Sequence, residues 1–174
     1  MTRIVLHNGL AHRILQVIIV AVLLPGTSCA PSGPAIKVEL SGSSFQVNNL
    51  VTTSVYVEDL EDLIGFEAHL SFDPNVLEVM ELKNGGFIQA DFIVQNTFDN
   101  TAGTIDYAVA QIDSPPAKGS GMLLKIIFRA KAPGQSSISF RGTQAAPAGI
   151  LLSDSNGQEI PVSSQEGNVY VSAP

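Results

Sequence analysis

The stretch Gly65 to Leu82, GFEAHLSFDPNVLEVMEL, constrains the fold more than any other in the chain. Phe66, Ala68, Leu70 and Phe72 alternate with Glu67, His69 and Ser71, the period of two that a half-buried β-strand requires. Asp73-Pro74-Asn75 then stops the run. Proline has no N–H for a ladder and fixes φ, and the flanking Asp and Asn hydrogen-bond local backbone, so the chain has to turn there. Val76, Leu77, Val79, Met80 and Leu82 return it to the core. Two turns of helix over Pro74 to Leu82 is the competing reading, and the β-branched Val76 and Val79 argue against it.

The same rhythm recurs along the chain. Ile36, Val38 and Leu40 alternate with Lys37 and Glu39; Phe45 and Val47 follow, and Asn48-Asn49 marks a turn before Val51, Val55 and Val57. Glu58, Asp59, Glu61 and Asp62 are expected to form an acidic loop. Phe92 to Phe98 and Thr104 to Ile112 are expected to pair across Asp99-Asn100-Thr101-Ala102-Gly103. Asp113 to Gly121 is expected to be a loop, and Met122 to Ala130, MLLKIIFRA, a central strand. Ser137 to Arg141, Ile150 to Leu152, Glu159 to Val162 and Gly167 to Val171 complete the set. Asn156-Gly157, between Ile150 to Leu152 and Glu159 to Val162, is the strongest hairpin signal. Short β-branched strands with Gly and Pro punctuation predict an all-β chain, a nine- or ten-stranded antiparallel β-sandwich with jelly-roll-like topology in a single domain.

Residues 1–28 fall outside that pattern. Arg3, His12 and Arg13 precede Ile14 to Leu24, an eleven-residue run interrupted only by Gln16. That is shorter than the roughly 20 residues of a spanning helix and suits the apolar core of a secretory signal. Gly26, Thr27 and Ser28 lead to Cys29, the only cysteine. The neighbourhood resembles a bacterial lipobox, in which cleavage before the cysteine is followed by its lipidation; the alternative is plain cleavage with a free thiol. Residues 29–35 form a short Pro/Gly tether, and residues 36–174 the sandwich domain.

Charge and composition exclude several functions. Removal of residues 1–28 leaves seven basic residues against sixteen acidic ones, a formal charge of −9. That is the wrong sign for nucleic acid and for anionic lipid, so membrane attachment would rest on the Cys29 lipid. The chain has no tryptophan, and Tyr56, Tyr107 and Tyr170 are scattered, which disfavours stacking on sugar rings.

His69, Ser71 and Asp73 spell H-x-S-x-D, but same-face neighbours on a strand lie about 6.6 Å apart, too far for a nucleophile and its base. His69 reads as a surface histidine. No catalytic residue is assigned and no enzyme is expected. No His/Cys metal cluster can be built in the mature chain, and no cofactor is expected. Calcium has two oxygen-rich candidates, Asp154 to Glu159 and the cluster Glu58, Asp59, Glu61 and Asp62; neither has a full motif.

Phe72-Asp73-Pro74-Asn75-Val76-Leu77-Glu78-Val79 resembles a segment of cohesin domains, the modules that bind dockerins in cellulosome-type assemblies and belong to the carbohydrate-binding-module-like β-sandwiches. The similarity extends in strand order and turn placement from about Ile36 to Val171. It implies an exported module, lipid-anchored if Cys29 is acylated, that holds dockerin-bearing, polysaccharide-degrading enzymes at the cell surface. In that family the partner docks on a flat sheet face. Carried across by position, the face comprises Glu67 on the central strand, with His69 beside it, Phe98 near an aromatic position, and Ala108 and Gln111 on TIDYAVAQID. Gly65 stands where the familiar type has Asn, Ala108 where it has Leu and Gln111 where it has Glu. The alternatives are a carbohydrate-binding module acting in polysaccharide catabolism, and a structural or adhesive surface module that shares the sandwich.

Overall fold

A computed structural model of the chain describes residues 33–174. Cys29 and the expected signal lie outside the described residues. Twelve strands are present among them: β1 (Ala35–Leu40), β2 (Phe45–Gln46), β3 (Leu50–Leu63), β4 (Gly65–Ser71), β5 (Leu77–Asn84), β6 (Phe92–Asp99), β7 (Thr104–Ala110), β8 (Ala117–Ala130), β9 (Gly134–Phe140), β10 (Ile150–Ser153), β11 (Ser163–Gln165) and β12 (Gly167–Ser172). They form two sheets. One runs β11-β1-β3-β8-β5; the other runs β2-β12-β9-β4-β7-β6, with β10 also pairing β4.

The all-β sandwich is the expected one, with two amendments. Strand number exceeds nine or ten because β2 and β11 are only two and three residues long, too short to leave an alternation in the sequence. These two also pair in parallel, β2 with β12 and β11 with β1, so the sandwich is not wholly antiparallel.

The inner faces follow the alternation. Phe66, Ala68, Leu70 and Phe72 are buried, as are Leu124, Ile126, Phe128 and Ala130 of β8. Phe72 meets Phe128 edge to face across the sandwich, with ring centroids 5.3 Å apart and planes at 66°. A fully buried side chain of this size contributes about 1.5–3 kcal/mol.

Two loops and one hairpin arm, Glu159 to Val162, are folded differently from expectation. The acidic run Glu58 to Asp62 belongs to β3, which continues to Leu63 through two register shifts against β8. Asp59 takes a positive φ of 57° at the first of these, and the shifts return Leu60 and Leu63 to the core, so a run with acidic outer positions remains a strand. β8 begins at Ala117, inside the expected Asp113–Gly121 loop. The Asp154–Gln158 turn forms, but its second arm makes only one bridge, Ser153 with Glu159.

The Asp-Pro stop is built as expected. The Asp73 carboxylate accepts from the Asn75 backbone at 2.8 Å, and the Asp73 carbonyl accepts from Val76 and Leu77. Gly103, φ +70°, turns β6 into β7 beside it, and its carbonyl accepts the Phe72 N–H at 2.9 Å.

One edge of β4 is shared by two strands. Gly65 to Ala68 pair with β10, and Leu70 and Ser71 pair with β9. At the join, the Arg141 N–H donates to the His69 carbonyl and the His69 N–H donates to the Gly149 carbonyl, both at 2.8 Å. The chain leaves the sheet at Arg141 and returns at Ile150, which sets Arg141 against His69.

Candidate docking face

The outward side of β10-β4-β7-β6 follows from the registers, because residues directly opposite across a ladder share a face. Four rows cross it. Ser153, Gly65, Ala110 and Phe92 form the first; Leu151, Glu67, Ala108 and Gln95 the second. His69, Asp106 and Thr97 form the third, with Arg141 at its end. Ser139, Ser71, Thr104 and Asp99 form the fourth.

The first two rows enclose a shallow depression of about 170 Å³, lined by Gly65, Glu67, Val94, Ala108, Ala110, Leu151 and Ser153 among others. It exists because its floor has almost no side chains. A Cβ on Gly65 would lie 2.2 Å from Ser153 Oγ, so the position that is Asn in the familiar cohesin type has no room for one here. Val94 sits at the register shift between Ile93 and Gln95, where the bulge turns it toward the depression.

The third row carries the charge. His69 Nδ1 lies 2.5 Å from Asp106 Oδ1 and its Nε2 2.6 Å from Glu67 Oε1; Arg141 Nη2 donates to the same Asp106 oxygen at 2.7 Å. Both ring nitrogens face carboxylate oxygens, which only accept, so the arrangement is satisfied in full only by an imidazolium with both nitrogens donating. Burial opposes that charge, but the hydrogen bonds to Asp106 and Glu67, with their negative charges, outweigh it and hold the pKa above the ordinary 6.5.

His69 is therefore no surface histidine: it is 7% exposed, roofed by its ion partners. Nor does it join Ser71 and Asp73. Ser71 Oγ bonds Ser139 Oγ at 3.0 Å, and Asp73 is spent on its turn.

Of the five face residues expected, Glu67, His69 and Ala108 are brought together and two are not. Gln111 stands three positions from Ala108, and an odd separation on a strand reverses the side. It is 4% exposed; its Oε1 accepts from the Gln89 N–H at 2.8 Å and its Nε2 donates to the carbonyls of Ser114 and Pro115. That is the work of a loop clamp. Phe98 opposes Ile105, whose side chain is in the core, so it hangs on the inner side of the β6 edge, 42% exposed. Asp106, Ala110, Leu151 and Arg141 were missed. Asp106 and Ala110 share the parity of Ala108 and were legible once that strand was placed; Leu151 and Arg141 depend on the β9/β10 join, which leaves no local signal.

The calcium candidates are occupied by their own loops. Asp154 caps the backbone N–H groups of Asn156 and Gln158, which lowers its pKa, and Asp62 accepts from Ser155 N–H and Oγ. Among the described residues no group of three His, Cys, Asp or Glu is placed to hold a metal.

The two sandwich faces differ. On the outer side of the five-stranded sheet Lys37 pairs with Glu39 and Glu58, Lys83 with Glu81 and Arg129 with Glu78, a surface spread with Lys–Glu and Arg–Glu pairs. The β10-β4-β7-β6 face instead has hydroxyls, apolar residues from Ala108 to Leu151 and Phe92, one internally neutralised cluster, and Asp99, whose carboxylate accepts from the Ala102 and Thr101 backbone of its own turn. Fold and face together define a β-sandwich module with two chemically different sheet surfaces.

Comparison with known proteins narrows that class. The model of the cohesin domain family matches residues 36–170, and the chain belongs to that family. Cell surface glycoprotein 1 of Acetivibrio thermocellus is 26% identical over a match covering 67% of this chain and 6% of that protein, so the chain corresponds to a small part of this relative. A type II cohesin domain from the cellulosome of Acetivibrio cellulolyticus superposes with a TM-score of 0.68 at 22% identity, over 79% of this chain and 95% of that one. A non-cellulosomal cohesin from the archaeon Archaeoglobus fulgidus gives 0.64 at 19% identity, over 81% and 92%. The cohesin of a type I cohesin–dockerin complex from Clostridium thermocellum gives 0.65 at 14% identity, over 79% and 99%. These likenesses establish the shared fold.

Proposed function

We propose that the chain binds a dockerin-bearing protein through the outward face of β10-β4-β7-β6, with the Gly65–Ala108–Ala110 depression as the seat of an apolar side chain. One observation carries the reading: this face combines an open apolar depression with a single charge cluster neutralised from within, whereas the opposite face is spread with Lys–Glu and Arg–Glu pairs. Interface centres are depleted in Lys and Glu for that reason. Membership of the cohesin family and the likeness to cohesins solved with dockerins support the partner class.

Export through residues 1–28 and acylation of Cys29 belong to the same proposal. They would hold the captured protein, a polysaccharide-degrading enzyme, at the cell surface. The mass of the mature N-terminal peptide tests this part: a lipid on Cys29 supports it and a free thiol overturns it.

The docking face is tested by two substitutions. Ala108→Arg fills the depression and should lower capture of dockerin-bearing proteins from the organism's secretome by at least thirtyfold, the effect of about 2 kcal/mol at an interface centre. Phe98→Ala, on the other side of the sheet, should leave capture unchanged. Undiminished capture by a folded Ala108→Arg protein would remove this face, and retention on insoluble polysaccharide without any protein partner would favour a sugar-binding role.

A further inference from the structure

The cluster in the third row bears on what kind of surface can cover the face. Its members are counted from every element packed around the ring: Glu67 on β4, Asp106 on β7 and Arg141 after β9. The segment 142–149 and β10 pass beside it and contain no ionisable side chain. With the ring doubly protonated, two cations face two carboxylates and the quartet sums to zero. With the ring neutral it sums to −1, and one of its two carboxylate contacts loses its proton donor.

The quartet also sets the shape of the depression. Glu67 lines it, and Glu67 Oε1 is drawn along the strand to His69 Nε2. Without that contact a flexible carboxylate would be free to turn over Ala108, directly opposite on β7.

Resting on the docking role proposed above, we infer that His69 is a positioning residue for partner binding, and that the partner covers the quartet with uncharged groups. The imidazolium holds Glu67 clear of the depression and neutralises the cluster. Covering a quartet of net charge zero, with its ion pairs hydrogen-bonded internally, costs less than covering one that carries a net negative charge without a counter-ion, which would drive proton uptake. A partner with neutral contacts therefore favours the protonated ring. By linkage its affinity falls as pH rises past the His69 pKa of the free protein, by about tenfold per pH unit until the pKa of the complex is reached. A partner that set a Lys or Arg against Glu67 would show the opposite slope.

The experiment is a titration of the purified protein with a dockerin module captured as described above, at pH values from 6 to 9. His69 ionisation is followed separately by NMR of the imidazole in the free protein. The wild type should titrate above 6.5 and lose affinity across the range. His69→Gln, which cannot be a cation, should bind with a flat profile, and Glu67→Gln should lower the His69 pKa. Equal affinity at pH 6 and pH 9, a rise with pH, or a profile that persists in His69→Gln would each overturn the inference and leave the docking face standing. Failure of the wild type to bind any dockerin at every pH would instead overturn the docking role, and this inference with it.

Discussion

The side-chain amide of Asn100 completes the backbone hydrogen bonding of Val79: Oδ1 accepts the Val79 N–H at 2.7 Å and Nδ2 donates to the Val79 carbonyl at 3.0 Å. Val79 is the last residue of β5 before its register slips against β8, and its own side chain is buried. A single amide from the β6–β7 turn thus stands in for a neighbouring strand and ties the edge of one sheet to the turn of the other.

Asn100→Ala leaves both Val79 groups without these partners and should cost about 1–3 kcal/mol, the usual range for buried groups left unsatisfied. Asn100→Asp keeps the acceptor but sets an oxygen against the Val79 carbonyl, and should be no better. Urea unfolding decides it. A change below about 0.5 kcal/mol in both variants would show that water replaces the amide.

Gly103 and Gly157 both have positive φ, 70° and 74°, but only the first is crowded. A Cβ on Gly103 would lie 2.2 Å from the Phe72 carbonyl oxygen and 2.7 Å from Pro74 Cδ; one on Gly157 would meet nothing within 4 Å. Gly157→Ala should carry only the backbone strain, about 1 kcal/mol. Gly103→Ala adds a clash with the Asp-Pro turn and should lower stability by clearly more. Equal losses in thermal unfolding would mean that the turn moves aside freely.

The fold was legible because it is written in period-two alternation and turn residues. GFEAHLSFDPN specified its strand, its inner face and its stop, and Asn156-Gly157 specified a turn. The outer face was half legible. Alternation on β4 placed Glu67 and His69 together, but a resemblance matched by position does not carry strand parity, and Gln111 was assigned across a separation that reverses it. Phe98 follows the same rule: the hairpin at Asp99 and Thr104 sets it opposite Ile105, three positions from Ala108 and on the core side, which a match by position does not register. Arg141 reaches His69 only through the shared edge of β4, a long-range event, and this is why an isolated histidine in the sequence looked like a surface residue.

Leu70 and Glu67 test that facing directly. Leu70 is wholly buried, and Leu70→Ala should cost about 2–5 kcal/mol, as truncations in a packed core do. Glu67 is half-buried on the outward side, and Glu67→Ala takes one acceptor from His69 without opening the core, so it should cost about 1–2 kcal/mol, less than the Leu70 truncation. Similar losses at the two positions would contradict the assignment of inner and outer faces.

The His69 quartet also gives stability a pH dependence in a window where little else titrates. Its folded pKa is raised: burial opposes the cation, but the hydrogen bonds and charges of Asp106 and Glu67 prevail. A group whose pKa is higher folded than unfolded contributes stability that is fully present below the unfolded value, about 6.5, and is lost as pH rises to the folded value. The unfolding midpoint in urea should therefore decline from pH 6.5 upward and level off once the folded ring has deprotonated. His69 is the only histidine outside residues 1–28, so His69→Gln should abolish that decline whatever its effect at pH 6. A wild-type midpoint that holds constant between pH 6.5 and 9 would mean that the imidazolium gains nothing from its two carboxylates.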